Sequence, residues 1–361
     1  MREPFSLFAV KKQSAQRALY PLQRCSRFLG TLVLSAAVML PSVYSMQVSA
    51  KTEGVAAPAY SIESAAASTS LLLDVTRAGK RLIAVGDRGH ILYSDDEGKQ
   101  WLQARVPTQQ MLTAVYFVDD RYGWAVGHDA LILATRDGGA TWTRQFDDPE
   151  RESPLLDVWF KDRNTGYAVG AYGALLETTN GGEDWQNIND RLDNEDGYHL
   201  NAISAVTDAG LLIVGEMGAI FRSADWGLTW ETLEGPYEGS LFGIVPTSKP
   251  AHLIVYGLRG HIFRSTDFGE TWTETKVKTE NGSLQFGLAD GSLLANGDVM
   301  IVGHGGTVLR SDNDGQSFSL FNRADRTSLA GVTSGVNGGL ILVGQNGIHQ
   351  TDANGNDLLV K

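Results

Sequence analysis

The chain has almost no sulfur chemistry available to it. Its one cysteine, Cys25, lies close to the amino terminus, so no disulfide or cysteine metal site can be built within the rest of the sequence. Long apolar runs are missing as well. The uncharged stretch Phe28–Leu40 is thirteen residues long, short of the ~20 that a helix needs to cross a bilayer. Helical periodicity is absent throughout, which removes bundles and α/β folds from consideration. Basic charge is in deficit, with 30 Lys and Arg against 42 Asp and Glu, a formal net charge of −12. That balance argues against nucleic acid, and against an anionic membrane surface, as the main partner.

The first 27 residues run against this trend. They carry six basic side chains (Arg2, Lys11, Lys12, Arg17, Arg24, Arg27) and one acidic residue, Glu3, ahead of Phe28–Leu40. Pro41 and the small-residue phrase Val48-Ser49-Ala50 follow. A basic region, a short apolar region and an A-x-A-like site predict a secretory signal over 1–50 with cleavage after Ala50, an uncleaved anchor being the alternative. Without residues 1–50 the chain holds 24 basic against 41 acidic side chains, a net charge of −17. Residues 51–69, rich in alanine, read as a linker or as a strand that closes the fold, and 70–361 as one repeat domain.

What the chain does have is glycine, 41 residues set mostly at turns, and a motif that recurs. Ser265-Thr-Asp-Phe-Gly-Glu-Thr-Trp272 has relatives at Ser94–Trp101, Thr135–Trp142, Thr178–Trp185, Ser223–Trp230 and Ser311–Phe318, and a worn copy at Thr351–Leu358. The closing residues lie 41, 43, 45, 42, 46 and 40 apart, a spacing that points to propeller blades. Within the motif a Ser or Thr, an acid or amide two residues on (Asp96, Asp137, Asn180, Asp225, Asp267, Asn313) and a glycine describe a self-capped hairpin turn. The closing aromatic (Trp101, Trp142, Trp185, Trp230, Trp272, Phe318) supplies a large contact for the seam between sheets. Unbroken apolar runs such as Leu211–Gly215 fit strands covered on both faces. The prediction is an all-β chain, a single seven-bladed propeller of four-stranded blades. Residues 55–67 are a candidate tie between its ends.

The pattern S/T-x-D-x-G-x-T/S-W resembles the Asp-box, or bacterial neuraminidase repeat. The longer phrases Ala114–Gly127 (AVYFVDDRYGWAVG) and Val158–Gly170 (VWFKDRNTGYAVG) resemble the photosystem II assembly and stability factor family of propellers, over roughly 70–361. That resemblance implies a cofactor-free, non-enzymatic and monomeric binding protein, at most peripheral to the membrane, whose partner is a membrane protein complex or its subunits. It implies a periplasmic or secreted location, or a thylakoid-lumen-like one in a photosynthetic organism. A ligand- or glycan-binding propeller is the alternative, and a glycoside hydrolase a more distant one.

An acid repeated once per blade is a structural device, because an active site is needed once. Function is expected instead in the loops that join the second and third strands of each blade. These carry Asp87, Arg88, His90, His128, Asp129, Tyr172, Glu216, Met217, Arg259, His261, His304, Gln345 and Asn346, which would ring one mouth of the central channel. Two acidic connections, 147–152 and 190–199, are expected on the same face. The histidines come from separate blades with no ligand spacing, so no metal is assigned.

Overall fold

The structure is a computed structural model that describes residues 59–280 and 282–358. The signal segment, its cleavage site and the first part of the linker lie outside the described residues. The domain is a seven-bladed β-propeller of antiparallel sheets. The innermost strands are Leu72–Ala78, Leu112–Phe117, Leu155–Phe160, Leu200–Val206, Leu241–Pro246, Leu288–Leu293 and Leu329–Ser334. Six blades have four strands; the seventh has three and an isolated bridge, Thr351 to Asp357, where a fourth would begin. A small hairpin, Lys278–Thr279 with Gly282–Ser283, is added beyond the outer strand of blade five.

The core explains why the strands are apolar on both faces. Seven clusters of buried side chains each fill one seam between adjacent blades. Blades one and two, for example, share Ile83, Val85, Leu112 and Leu133, while blades seven and one share Ile341, Val343, Leu72 and Leu82. Second strands such as Gly123–Gly127 and Leu253–Gly257 are buried at every position, whereas the outermost strands are largely exposed. Burial of a Leu or Ile contributes about 1.5–3 kcal/mol, and spreading it over seven seams lets a long chain fold as one domain.

The repeated hairpin acts as the sequence pattern suggests. In blade one the Ser94 hydroxyl donates to Asp96 Oδ1 (2.9 Å) and accepts from the Gly98 N–H (2.8 Å), and Asp96 accepts from the Gln100 N–H (2.9 Å). The same three bonds recur in blades two to six. In blade seven Asp352 takes over one residue earlier, accepting from the N–H groups of Asn354 (2.8 Å) and Asn356 (3.0 Å). The closing aromatics pack into the seam with the preceding blade: Trp142 is buried against blade one, and Trp185, Trp230 and Trp272 follow suit.

Among the described residues no strand is added to close the ring. Residues 61–64 lie along the outer side of blade one, with the Ser61 N–H on the Val106 carbonyl (2.9 Å) and Gln103 bridging to Ser64 and Ile62. Farther on, Ala67 is buried in the seam between blades seven and one, and the backbone of Ser68 and Thr69 lies against Gly347 of blade seven. Side chains join the ends. Arg77 donates to the Ser334 carbonyl (2.8 and 3.0 Å) and hydroxyl (2.9 Å) and to Glu97 (2.7 Å), and Gln350 donates to the Glu97 carbonyl (3.0 Å).

Asp267 accepts from the Ser265 hydroxyl and from both the N–H and the hydroxyl of Thr271. Asp267→Ala is expected to lower the unfolding free energy by about 1–2 kcal/mol, read from urea denaturation. An unchanged midpoint would remove the hairpin from the determinants of stability.

Candidate functional site

The loops between second and third strands are all tight turns in which two consecutive residues are left-handed. The first of each pair is Arg88, Asp129, Tyr172, Met217, Arg259, Gly305 or Asn346, with φ between 51° and 82° across the seven pairs. Such a turn matches the twist of a hairpin and is least strained with Asn or Gly in the first place. Blades six and seven use Gly305 and Asn346. Blades one, three, four and five put Arg, Tyr, Met and Arg there, each held in a conformation that costs about 1–2 kcal/mol for an ordinary side chain. These side chains stand out from the mouth: Arg88 is 78% exposed, Tyr172 65% and Met217 61%.

The sequence-derived rim therefore divides. Arg88, His128, Tyr172, Met217, Arg259, His304, Gln345 and Asn346 are exposed at this mouth. Asp87 pairs with Arg88 (3.3 Å), and Asp129 accepts from the Gln110 amide. Glu216 accepts from the His199 N–H (3.1 Å), and the His199 ring meets Tyr172 edge to face (4.9 Å between centroids). His261 is half-buried, bonded to Glu274 (3.0 Å) and stacked on Phe263. His90 is not on the rim. It is buried against Ser70 (3.2 Å), and its pKa is lowered, first by burial.

The acidic connection 190–199 is ordered by its own bonds. Asn194 and Tyr198 pair through side chain and backbone (3.0 Å each), and the Tyr198 hydroxyl donates to Asp196 (3.0 Å). With Met217 and Leu233 this loop walls a cleft of 440 Å³, acidic on one side and apolar on the other. Among the described residues one group of side chains, Asp325, His349 and Asp357, is close enough to share an ion. The guanidinium of Arg323 already occupies it, bonded to all three.

Beneath the rim lies a feature that motif reading missed. Asp74, Asp157 and Asp290 hold the same place on the innermost strands of blades one, three and six and face the channel. Asp74 accepts from the N–H of Val75 (2.6 Å) and, across the seam, of Val115 in blade two (2.7 Å). Asp157 does the same with Val158 and Ile203 (2.8 Å each), and Asp290 accepts from Val332 in blade seven (2.8 Å). Enclosure in the ring strips water from these groups. It pushes the Asp157 carboxyl up to about 7, raises that of Asp74, and raises that of Asp290 well above the ordinary range, the Asp74 charge adding to the last. The signal was present as a repeated phrase, Leu72-Leu-Asp-Val75 and Leu155-Leu-Asp-Val158, which sets an acid inside an apolar strand.

A family model described as "Photosynthesis system II assembly factor YCF48" matches residues 98–154 and 144–285. The photosystem II assembly protein Ycf48 of Synechococcus sp. (strain JA-2-3B'a(2-13)) is 36% identical over 136 residues, 36% of this chain and 39% of that protein. The chloroplastic photosystem II stability/assembly factor HCF136 of Cyanidioschyzon merolae (strain NIES-3377 / 10D) is 46% identical over 61 residues, 16% of this chain and 14% of that protein. The chain thus spans well under half the length of these curated relatives. A solved structure of YCF48 bound to a D1 peptide shares the fold, with a TM-score of 0.61 and 19% identity over 78% of this chain and 92% of that one.

Two outcomes follow from the site. Because the three carboxyls hold protons in the folded state that they would release when unfolded, stability falls as pH rises from about 4 to about 7. Unfolding midpoints at pH 5 should exceed those at pH 8, and Asp157→Asn should flatten the dependence; equal slopes in the two proteins would refute this. Met217→Gly relieves backbone strain at an exposed position, so it should leave stability unchanged or raise it by up to about 1 kcal/mol. A loss of more than that would mean the side chain is there for the fold.

Proposed function

The chain belongs to the photosystem II assembly factor YCF48 family, and from that premise we propose that it is a non-enzymatic propeller that holds a segment of a membrane protein while a complex is assembled or stabilised. One observation carries the proposal. Four of the seven hairpin turns around one mouth keep a long side chain where glycine or asparagine would be less strained, and those side chains face outward rather than into the core. Strain retained at exposed, converging positions is what a recognition surface requires and what a merely soluble loop does not.

The chemistry of that surface narrows the partner. Arg88 and Arg259 stand at blades one and five, Tyr172 and Met217 at blades three and four, and the acidic loop lies beside the latter pair. A partner segment with both charges and an apolar anchor fits this arrangement. Tyr and Arg at the centre of an interface dominate binding energy, and rim charges set approach and selectivity. The D1 peptide held by a YCF48 propeller supports a protein segment as the occupant. The secretory-signal pattern expected over residues 1–50 supports work outside the cytoplasm, in a periplasm or a lumen. An envelope complex or exporter is the client where no photosystem exists.

The test is capture of a client from detergent-solubilised membranes of the source organism, with Arg88→Ala/Arg259→Ala run beside the native chain. A defined membrane protein retained by the native chain and reduced at least tenfold by the double variant, at unchanged thermal stability, is the expected result. If the variant captures the client as well as the native chain does, the rim is not the recognition surface.

A further inference from the structure

Six of the seven seams are wedged by an aromatic ring from the repeated hairpin. Trp142, Trp185, Trp230, Trp272 and Phe318 each pack against the preceding blade, and Trp101 of blade one packs against blade seven. Among the described residues the seam between blades six and seven has no such ring. Its hairpin is the worn copy. The closing residue, Leu358, is 41% exposed and donates its N–H to the Gln350 carbonyl (2.9 Å), so it begins a fourth strand instead of entering the seam.

Space is left where the ring would sit. Trp142 meets Phe117 edge to face (6.1 Å between centroids) and Trp185 meets Phe160 (5.8 Å), each the last residue of its own blade's innermost strand. Trp230 meets Tyr167 (6.4 Å), the second residue of the second strand in the blade before. The corresponding residues at the six–seven seam are Ser334 and Met300. Both line a cavity of 610 Å³ among the turns that join first to second strands, on the face opposite the mouth. Leu294 and Leu340 from the core of the same seam, with Ala353 of the worn hairpin, add to its apolar wall.

We propose that this cavity binds a small molecule of the aromatic-carboxylate class, a flat apolar ring carrying one anionic group. Its volume lies within the range of about 300–1,000 Å³ usual for ligand pockets, and a ring seated there completes the seam as the hairpin aromatics do elsewhere. Two arginines supply the partner for the anion. Arg310 spends Nε and Nη2 on Asp298 (2.8 and 2.7 Å), and Arg77 spends the same two atoms on Ser334 and Glu97. Each keeps Nη1 without a partner among the described residues, and both line the cavity. A guanidinium fixed along one edge presents its remaining N–H groups in a set direction, which suits a carboxylate. Because an acid already balances each arginine, the site takes one further negative charge and not a polyanion. The occupant touches blades six, seven and one, so binding raises the stability of the closed ring in proportion to ligand concentration.

Indole-3-acetate is the probe, with indole and acetate beside it, added to the isotopically labelled full chain. Indole-3-acetate should shift the amide signals of Met300, Ser334 and Ala353 saturably, raise the unfolding midpoint, and bind at least tenfold more tightly than indole. Acetate should leave those signals in place. Ala353→Phe, which puts a ring into the cavity from its half-buried wall, should abolish the shifts while the rest of the spectrum is kept. The comparison of the three probes on the native chain decides the matter even where the variant does not fold. No shift at these residues with millimolar probe overturns the proposal, and so does equal affinity for indole and indole-3-acetate. Loss of client capture by Ala353→Phe without any probe binding overturns it as well, and would give the seam to an aromatic side chain of the partner protein.

Discussion

Every innermost strand in this ring carries a bulge between its first and third residues or an equivalent break in register with its neighbour. A bulge leaves a backbone group without its ladder partner, and near a propeller axis the only neighbour able to satisfy it is the next blade. The molecule meets this demand with side chains from the preceding blade. Asp74, Asp157 and Asp290 accept an N–H at three seams; Thr113 and Asn201 donate to the carbonyls of Leu155 (2.6 Å) and Leu241 (2.8 Å) at two others. These bonds hold the strands around the axis in register, and the rest of each blade hangs from them. They also gather three acids in one enclosed place.

Features that depend on a few neighbouring residues were legible from the chain alone. The hairpin motif is one, since its bonds join residues two and four apart, and the mouth-side turns are another, since a glycine in the second central place marks them in most blades. The acid triad was missed for the opposite reason. Asp74 and Val115 are 41 residues apart, and only the ring makes them neighbours. Closure is farther still from local logic, resting on Arg77 and Ser334, which are separated by 257 residues. His90 shows a subtler limit. It shares its repeat position with His261, yet it is buried against Ser70 from the segment that precedes blade one, a contact that no other blade has.

The two layers of this face have different physical origins. The rim is made of strained turns with exposed side chains, so its residues are free to vary without loss of the fold, and strain relief would favour their replacement by glycine. The acids below are tied into the backbone bonding of two blades each, so changing one disturbs a seam. As the recognition surface proposed above, such a rim would alter its partner preference turn by turn over an unchanged inner ring.

Charge connects the layers. A net excess of acidic side chains would by itself favour any basic partner over the whole surface, with little selectivity and strong screening by salt. At the mouth the excess is broken by Arg88 and Arg259, both exposed, while the acids of the channel are sheltered from bulk ions. On the proposed function, a segment approaching along the axis would meet two cationic side chains and two apolar ones before it reached the channel acids. Selectivity on that reading would rest on a pattern of charge and shape that few segments match, rather than on net charge.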